Sequence, residues 1–546
     1  MKGLSAQRLL VAGTVALFLL RAALTVPRTG PVVVADEVGY LTNARLLAGG
    51  VAGQMSTAPF YHGGYSLLLA PLLAAHGNPE TSYHLVLVLN TLLAASLAPL
   101  LYLLLTRCFS VQPRAAVWPS LAAAAYPSVT IYTQVAMSEN LLLPLFVLWL
   151  LCFGCFLRAG SERRRLAFGA ATAACAVWLW AAHGRMIVAV ALTVVAFLVL
   201  AAKRSPAGRS ALAGLAIVAV GLVGVHVLND FIVSRSYGGH ASGEAAQRLS
   251  TVESIGGVGA FLRNLVGQAW YLLVASLGVF ATAVSLRASS RFRRRQLSPA
   301  ELVLALALLA GFGLLIESAL SFRTADRPDM IIYGRYTDVA VPPILALALV
   351  RLGAGKRFNW ISGLIAISVT TVVTALLRAG VHPPGLANRW NVASLPAPTF
   401  QLGPKVLFAA GFVAVAAVIA VTVVRRHKPA LIAPLVLLLF LPTTAVAERN
   451  PVLRAESSFY PSGWTSPAKA VDDARTIAFD TDGGGSRYVY QWFTSNARLV
   501  LFSGASEPPP ARFVFSSPAW AAAHRSLHPT ELWDDPGRGS RLFHVR

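Results

Sequence analysis

Long apolar runs dominate this chain and restrict it to a membrane-embedded fold. A segment of about 17 to 25 apolar residues can cross the hydrocarbon core as a helix. With 56% hydrophobic and only 13% charged residues, the composition excludes a soluble globular domain of this size. Thirteen such runs lie near 9–27, 81–105, 115–133, 140–157, 166–182, 186–202, 211–228, 265–286, 299–321, 338–352, 358–377, 403–424 and 430–447. The sequence therefore predicts an all-α polytopic membrane protein of about thirteen transmembrane helices.

The basic residues predict how these helices are oriented. The formal net charge of +23 does not indicate nucleic-acid binding, because the basic residues form short clusters between the apolar runs. Alternate short connections hold most of the clusters, including those at 163–165 and 291–295. Since positive residues favour the cytoplasmic side, we predict a protein of the cytoplasmic membrane with its N-terminus inside and, after an odd number of spans, its C-terminus outside.

Carboxylates show the opposite distribution. Of the thirteen Asp and Glu residues before position 448, only Glu162 and Glu301 fall on the predicted inner side. Carboxylates contribute little to topology. Their concentration on the outer face therefore indicates a function there.

Residues 448–546 differ in composition from residues 1–447 and define a second predicted domain. Pro, Gly, Ser and charged residues become frequent, and short β-like runs alternate with possible helices. The β-like runs lie at 475–479, 498–502, 512–515 and 542–545, and a helix is predicted at 487–493. This pattern favours a small extracytoplasmic α/β domain that follows a transmembrane domain ending at residue 447.

The first outer connection carries an adjacent carboxylate pair, Asp36 and Glu37. The apolar residues after the pair recur with helical spacing, which predicts an amphipathic helix on the membrane surface. In one interpretation the pair only starts this helix, with Asp36 as its N-cap and Glu37 facing the helix dipole. In the other interpretation the pair takes part in chemistry. The apolar run at 65–75 is too short to span and predicts an interfacial or re-entrant helix.

Other charged residues lie at the outer ends of later spans. Glu139 joins two spans, and a charge drawn into hydrocarbon there would cost roughly 2.5–3.5 kcal/mol. It is expected to face a water-filled cavity, with snorkelling to the interface as the alternative. His183 and Arg185 occupy an equally short outer connection. A further cluster before the tenth predicted span contains Arg323, Arg327, Arg335 and Tyr336.

Acids and arginines on one membrane face suit a particular chemistry. A carboxylate can act as a general base, and arginine is suited to bidentate phosphate binding. Transfer from a phospholipid-linked sugar needs both groups. The base removes a proton from the acceptor, and fixed positive charge stabilises the departing lipid phosphate.

The order of these elements resembles the GT-C glycosyltransferases, specifically the branch that contains the aminoarabinose transferases of lipid A and the protein O-mannosyltransferases. The likeness covers roughly residues 1–352. Asp36-Glu37 matches the family's Asp-Glu pair, and the Ser-Glu-Asn sequence at 138–140 is similar to its second acidic motif. Where relatives have an aromatic-His-Lys-Pro-Pro-Leu-like stretch, this chain has His62 followed by two glycines instead of prolines.

The resemblance implies an inverting transfer of mannose or arabinofuranose from a polyprenyl-phosphate donor, on the outer face of the membrane, to a glycan, lipid, peptide or metabolite. Asp36 is the implied base, and Glu37 and Glu139 would position the acceptor. The same three carboxylates are the candidates for holding a divalent cation, Mg²⁺, Mn²⁺ or Ca²⁺. The implied contacts with the donor phosphate are His62, Arg185, Arg335 and Tyr336. An Ala- and Arg-rich composition suggests an actinobacterial source.

Two other functions are compatible with many spans and intramembrane charge. A transporter or flippase of a lipid-linked or cell-envelope glycan would explain the spans, but it explains the outer helices and the outer α/β domain poorly. A non-enzymatic envelope-assembly protein of the same architecture would retain the fold without the site. Convergence of Asp36, Glu139 and Arg335 in space distinguishes an enzyme from this second alternative.

Overall fold

The computed structural model describes residues 5–202, 207–239, 255–280, 297–322, 328–354, 360–379, 389–396 and 403–546, except positions 472, 484, 506 and 536. In these ranges the chain is an assembly of α-helices followed by one small sheet. The first ten helices are α1 (Ala6–Thr25), α2 (Asp36–Leu47), α3 (Gly63–Ala75), α4 (Pro79–Leu103), α5 (Pro113–Ala124), α6 (Pro127–Tyr132), α7 (Glu139–Arg158), α8 (Glu162–Ala182), α9 (Ile187–Ala202) and α10 (Gly208–Ser236). The next ten are α11 (Ile255–Ala275), α12 (Pro299–Ser321), α13 (Pro328–Ile331), α14 (Val341–Gly353), α15 (Trp360–Ala379), α16 (Pro404–His427), α17 (Ile432–Ala447), α18 (Arg454–Phe459), α19 (Arg487–Phe493) and α20 (Pro518–Ala523).

Nine helical segments in the described ranges are at least 18 residues long and apolar enough to cross a membrane. They correspond to nine of the thirteen predicted spans. The runs near 115–133, 265–286, 338–352 and 358–377 are helical where the structure describes them, but they do not reach that length and hydropathy there. Large apolar side chains such as Val220 and Phe412 are exposed on the helix faces that point away from the protein interior, as expected for surfaces that face lipid. The chain is a multi-pass membrane protein.

The run near 115–133 is two helices, which corrects the prediction of one continuous span. Pro127 has no N–H group, and Tyr126 before it is extended with ψ 130°, so α5 ends at Ala124 and α6 begins at Pro127. Arg21 of α1 is buried beside this break. Its guanidinium donates to the carbonyl oxygens of Ala94 at 3.1 Å and Ala124 at 2.5 Å. The arginine thus satisfies a carbonyl at the end of α5, where a cation is favourable.

The predicted α/β domain follows the last membrane helix. Its five-stranded sheet has the order β2-β1-β3-β5-β4. The strands are β1 (Thr476–Asp480), β2 (Arg498–Phe502), β3 (Phe513–Ser516), β4 (Thr530–Asp535) and β5 (Ser540–His544). Strand β1 pairs in parallel with β2 and β3, whereas β5 pairs antiparallel with β3 and β4. The four predicted strands are present. The sequence does not predict β4, because this edge strand is acidic and mostly exposed.

The sheet domain packs onto connections of the membrane domain that are predicted to lie outside. Arg45 of α2 donates to the carbonyl oxygen of Gln491 at 3.0 Å, and the amide N–H of Gln54 donates to the side-chain oxygen of Gln491 at 2.8 Å. The hydroxyl of Tyr460 donates to the carbonyl oxygen of Pro31 at 2.8 Å. Between the two domains, α17 continues directly into a π-helix at Glu448–Leu453.

Helix α2 has no exposed polar face of the kind that an amphipathic helix shows, and its place at the membrane surface stays a prediction. Every residue from Glu37 to Arg45 is buried, because α3 and α19 pack against the helix. The sequence pattern showed one apolar face, but contacts with residues far along the chain cover the other face as well.

The orientation of the chain stays a prediction and can be tested by cysteine labelling. Ser462 lies in the sheet domain and Gly160 lies between α7 and α8, and both are exposed. After replacement of the four native cysteines by alanine, a Ser462→Cys variant is expected to react with a membrane-impermeant reagent in intact cells. A Gly160→Cys variant is expected to react only after permeabilisation. The reverse result would show that the chain is inserted the other way round. The predicted inner clusters at 203–204, 291–295 and 356–357 lie outside the described residues.

Candidate active site

The carboxylates and arginines predicted from four outer connections meet at one place. Asp36 is the first residue of α2, and Glu139 is the first residue of α7. Arg185 lies in the 3₁₀ turn Gly184–Met186 between α8 and α9. Arg335 lies in the turn between α13 and α14. Each of these segments contributes one charged side chain to a single cluster, which we call the charged cluster.

Arg335 joins the two carboxylates of the charged cluster. Its Nε donates to Oε1 of Glu139 at 2.7 Å and its Nη2 to Oε2 at 3.3 Å, while its Nη1 donates to Oδ2 of Asp36. Arg185 donates from Nη2 to Oε1 of Glu139 at 2.9 Å. Two negative and two positive groups therefore balance, which a buried ionic cluster requires.

Solvent exposure separates Asp36 from its partners. The side chains of Glu139 and Arg185 are 0% exposed and that of Arg335 is 7% exposed, whereas that of Asp36 is 28% exposed. The hydroxyl of Tyr61 donates to Oδ1 of Asp36 at 2.8 Å. Asp36 is thus held from two sides and is the carboxylate of the charged cluster that a substrate can reach.

Arg185 is buried with unused hydrogen-bonding capacity. Its guanidinium lies over the ring of Tyr336, with Cζ 4.3 Å from the ring centroid, a cation–π arrangement that fixes its plane. Among the described residues, no hydrogen-bond partner contacts its Nε and Nη1 atoms. Buried donors are almost always satisfied in folded proteins. These two nitrogen atoms, which carry three N–H bonds, therefore indicate a binding site for an acceptor group from outside the chain.

His62 borders the charged cluster. Its Nδ1 lies 3.2 Å from Nδ2 of Asn229, and its ring packs against Phe60 with the centroids 5.2 Å apart. A Cβ atom on Gly184 would lie 2.8 Å from Nε2 of His62, so glycine allows the imidazole to sit beside the turn that carries Arg185. The other two arginines predicted near this site, Arg323 and Arg327, lie outside the described residues.

Glu37 points away from the charged cluster, which corrects the prediction that it positions the acceptor or holds a cation. It is fully buried, and both of its oxygens are occupied. The amides of Val32 and Val33 each donate to Oε1 at 2.8 Å, while the Tyr83 hydroxyl at 2.8 Å and the Ala136 amide at 2.6 Å donate to Oε2. Burial raises the pKa of Glu37 to about 7, and the four hydrogen bonds offset part of that effect.

The N-cap interpretation of Asp36 is also wrong. The N-cap of α2 is Ala35, which has φ +56° and makes no side-chain cap. A non-glycine residue in this region costs about 1–3 kcal/mol and persists only where the surrounding structure holds it. The side chain of Asp36 is directed to Arg335 and Tyr61 instead of to the amides of its own helix.

The three candidate cation ligands do not converge. In the part of the chain that the structure describes, no three His, Cys, Asp or Glu side chains are grouped so as to hold a metal ion. Both oxygens of Glu139 accept from arginine, and both oxygens of Glu37 accept from its four donors. Asp36, Glu37 and Glu139 therefore do not form one metal site.

Sequence reasoning missed the residues that hold the charged cluster in place. Tyr61 fixes Asp36, and its only sequence signal was its place in the aromatic-His-Gly-Gly segment. The carbonyl oxygen of Asn391 accepts from the amides of Gly334 at 2.8 Å and Arg335 at 3.0 Å. Nothing in the sequence marks Asn391, because the contact forms between segments more than 50 residues apart.

The chain is thus a multi-pass membrane protein that carries a buried charged cluster at its helix ends and a sheet domain packed onto its membrane domain. Two solved structures share this fold along nearly the whole chain. ArnT from Cupriavidus metallidurans bound to undecaprenyl phosphate is 17% identical, with a TM-score of 0.53 and coverage of 98% of this chain and 97% of that chain. ArnT from the same organism in the apo state is 16% identical, with a TM-score of 0.52 and the same coverage. These likenesses confirm the predicted fold. No protein-family model matches the sequence, and no curated protein sequence matches it.

Proposed function

We propose that the protein is a glycosyltransferase that moves a sugar from a polyprenyl-phosphate donor to an acceptor at the outer face of the cytoplasmic membrane. The observation that carries the proposal is a reachable carboxylate, Asp36, in the same cluster as a buried arginine, Arg185, two of whose nitrogens have no partner among the described residues. A base and a fixed cation are the two groups that such a transfer needs. The bound undecaprenyl phosphate of the ArnT structure is a ligand of the donor's class on the same fold.

Arg185 is the proposed contact of the donor phosphate. Its Nε and Nη1 would donate to phosphate oxygens, while Nη2 stays on Glu139. Negative charge grows on the phosphate as its bond to the sugar breaks, and a pre-positioned guanidinium stabilises that charge without reorganisation. Tyr336 holds the guanidinium plane, and His62 borders the same region. Arg335 adds a second positive charge near the phosphate, while its own nitrogens donate to Asp36 and Glu139.

Asp36 is the proposed general base. It takes a proton from an acceptor hydroxyl, the hydroxyl oxygen attacks the anomeric carbon, and the bond from that carbon to the phosphate oxygen breaks as polyprenyl phosphate leaves. A single displacement of this kind inverts the anomeric configuration. Glu139 acts on the arginines instead of on the acceptor, because it is held by both arginines and its side chain is 0% exposed, whereas that of Asp36 is 28% exposed. A divalent cation would bind through Asp36 and oxygens of the substrate, and activity measured with EDTA and with added Mg²⁺, Mn²⁺ or Ca²⁺ tests that requirement.

A transfer assay with purified protein tests the proposed function. Synthetic polyprenyl-phosphate mannose and arabinofuranose are the first donors, offered with glycan, lipid and peptide acceptors. We expect transfer from one of these donors and release of polyprenyl phosphate. Movement of a labelled lipid or glycan across proteoliposomes with no transfer product would overturn the proposal in favour of a transporter.

An Arg185→Gln variant is expected to transfer about 10² to 10³ times more slowly, the range found when one preorganised donor to a developing negative charge is removed. Its KM for the donor should also rise, because the lost N–H groups contact the donor itself. Initial rates over a range of donor concentrations measure both effects. The exposed Arg163, at the other end of the neighbouring helices, supplies the matched control, and Arg163→Gln should behave as wild type. Equal rates for the two variants would remove Arg185 from the site.

A further inference from the structure

Two irregular loops place the carboxylates of the charged cluster. The Asp36 loop, residues 26–35, leads from α1 into α2, and the Glu139 loop, residues 133–138, leads from α6 into α7. Neither loop has a continuous helical or strand ladder, so the contacts between them determine how Asp36 and Glu139 face each other.

Glu37 makes one tie between the two loops. Its Oε1 accepts from Val32 and Val33 in the Asp36 loop, and its Oε2 accepts from Ala136 in the Glu139 loop. This tie lies within the membrane domain.

Glu448 makes a second tie, and it comes from the other end of the chain. It is the first residue after α17, at the start of the segment that leads to the sheet domain. Arg28 of the Asp36 loop donates to its Oε1 at 3.1 Å, and Gln134 of the Glu139 loop donates to its Oε2 at 2.5 Å. The side chain of Glu448 is 12% exposed and that of Arg28 only 1% exposed, so water competes little for these hydrogen bonds.

Glu456 is a close counterpart that lacks the second contact. It also belongs to the segment after α17, and its Oε1 accepts from the amide of Thr29 at 2.8 Å. Its other oxygen lies 3.8 Å from Nη1 of Arg28. Both contacts are with the Asp36 loop. Glu456 therefore holds one loop, whereas Glu448 holds both.

We infer that Glu448 is a positioning residue, which couples the packing of the sheet domain to the relative placement of Asp36 and Glu139. The inference rests on the proposed function. Glu448 acts through Arg28 and Gln134 without touching the charged cluster. A carboxylate that accepts with one oxygen from each loop fixes the position of the two loops relative to each other. A misplacement of about 1 Å in a reacting group can lower the rate about 10²-fold.

A Glu448→Gln variant tests this role, with Glu456→Gln as its matched control. The amide keeps the volume of the carboxylate but removes its charge, so the ion pair with Arg28 is lost, and Gln134 keeps a hydrogen bond to the new NH₂ group only if its own amide turns round. We expect kcat to fall about 10²-fold with a smaller change in the donor KM, because Arg185 keeps its contact with the Tyr336 ring while Glu139 shifts. Glu456→Gln should keep a kcat near wild type. Equal losses in the two variants would show a general loosening of the domain contact and overturn the inference.

Gln134→Met provides a second route if Glu448→Gln folds poorly. Methionine has a similar volume, and Gln134 is fully buried with an Oε1 that has no partner among the described residues. The change therefore removes the donor to Glu448 while Arg28 keeps its ion pair. The same fall in kcat, with a smaller change in the donor KM, is expected. A wild-type kcat in Gln134→Met would show that the hydrogen bond from Gln134 to Glu448 does not position the loops.

Hydrogen exchange of the substrate-free protein separates the inference from the proposed function. Amides in residues 133–138 should exchange faster in Glu448→Gln than in wild type, and Glu456→Gln should leave them unchanged. If the wild-type protein transfers no sugar but exchange changes in this way, the proposed function fails and the tie between the loops stands. If transfer occurs and Glu448→Gln changes neither kcat nor exchange, the inference alone fails.

Discussion

An Asp36→Asn variant is expected to lose about 10² to 10⁴ in transfer rate while its folding and donor binding stay largely intact. The amide oxygen can still accept from Arg335 or Tyr61, and the volume is unchanged. An amide cannot take the proton of the acceptor hydroxyl, so the effect falls on the chemical step. Initial rates at saturating donor measure the loss, and thermal unfolding of the purified protein checks the fold.

The neighbouring carboxylate supplies the comparison for Asp36→Asn. Glu37→Gln places an NH₂ group against one of four donors at a fully buried side chain, so it should lower the unfolding temperature more than Asp36→Asn does at a side chain that is 28% exposed. Activity in Asp36→Asn together with inactivity in a folded Glu37→Gln would assign the base to Glu37. If both variants stay active, neither carboxylate is the base, and the proposed mechanism fails.

Removal of Arg335 is expected to destabilise the protein by about 3–5 kcal/mol, the range for a buried ion pair that loses one partner. Its side chain is 7% exposed and contacts both Asp36 and Glu139. In Arg335→Met, Asp36 keeps only Tyr61, and Glu139 keeps only Arg185 from the charged cluster. We expect a clear fall in unfolding temperature and loss of transfer.

Two further variants show whether this loss comes from the ion pairs. Arg335→Lys retains the charge, but one ammonium group cannot reproduce the planar contacts to both carboxylates, so stability should be intermediate. The double variant Asp36→Asn with Arg335→Met should recover part of the lost stability, because it removes a carboxylate left without a cation. An Arg335→Met protein as stable as wild type would contradict the buried ionic cluster.

The sequence determined the membrane architecture because the bilayer imposes a simple rule. Every backbone polar group in hydrocarbon must be satisfied within the segment, so long apolar runs become helices. The strands of the sheet domain were predictable for a similar local reason, since short β-branched and aromatic runs alternate with turn residues. The order of the charged motifs along the chain also identified Asp36, Glu139, Arg185 and Arg335 as one group of candidates.

Only the tertiary structure decided which carboxylate of the adjacent pair belongs to the charged cluster. Asp36 and Glu37 have the same charge and the same local setting, but successive residues of a helix point about 100° apart. One direction leads to Arg335, 299 residues away, and the other leads to donors from three separate segments that surround Glu37. The burial of α2 and the contacts of Glu448 arise in the same way. Such partners meet through long-range packing. A local sequence pattern does not indicate which distant segment will pack against it.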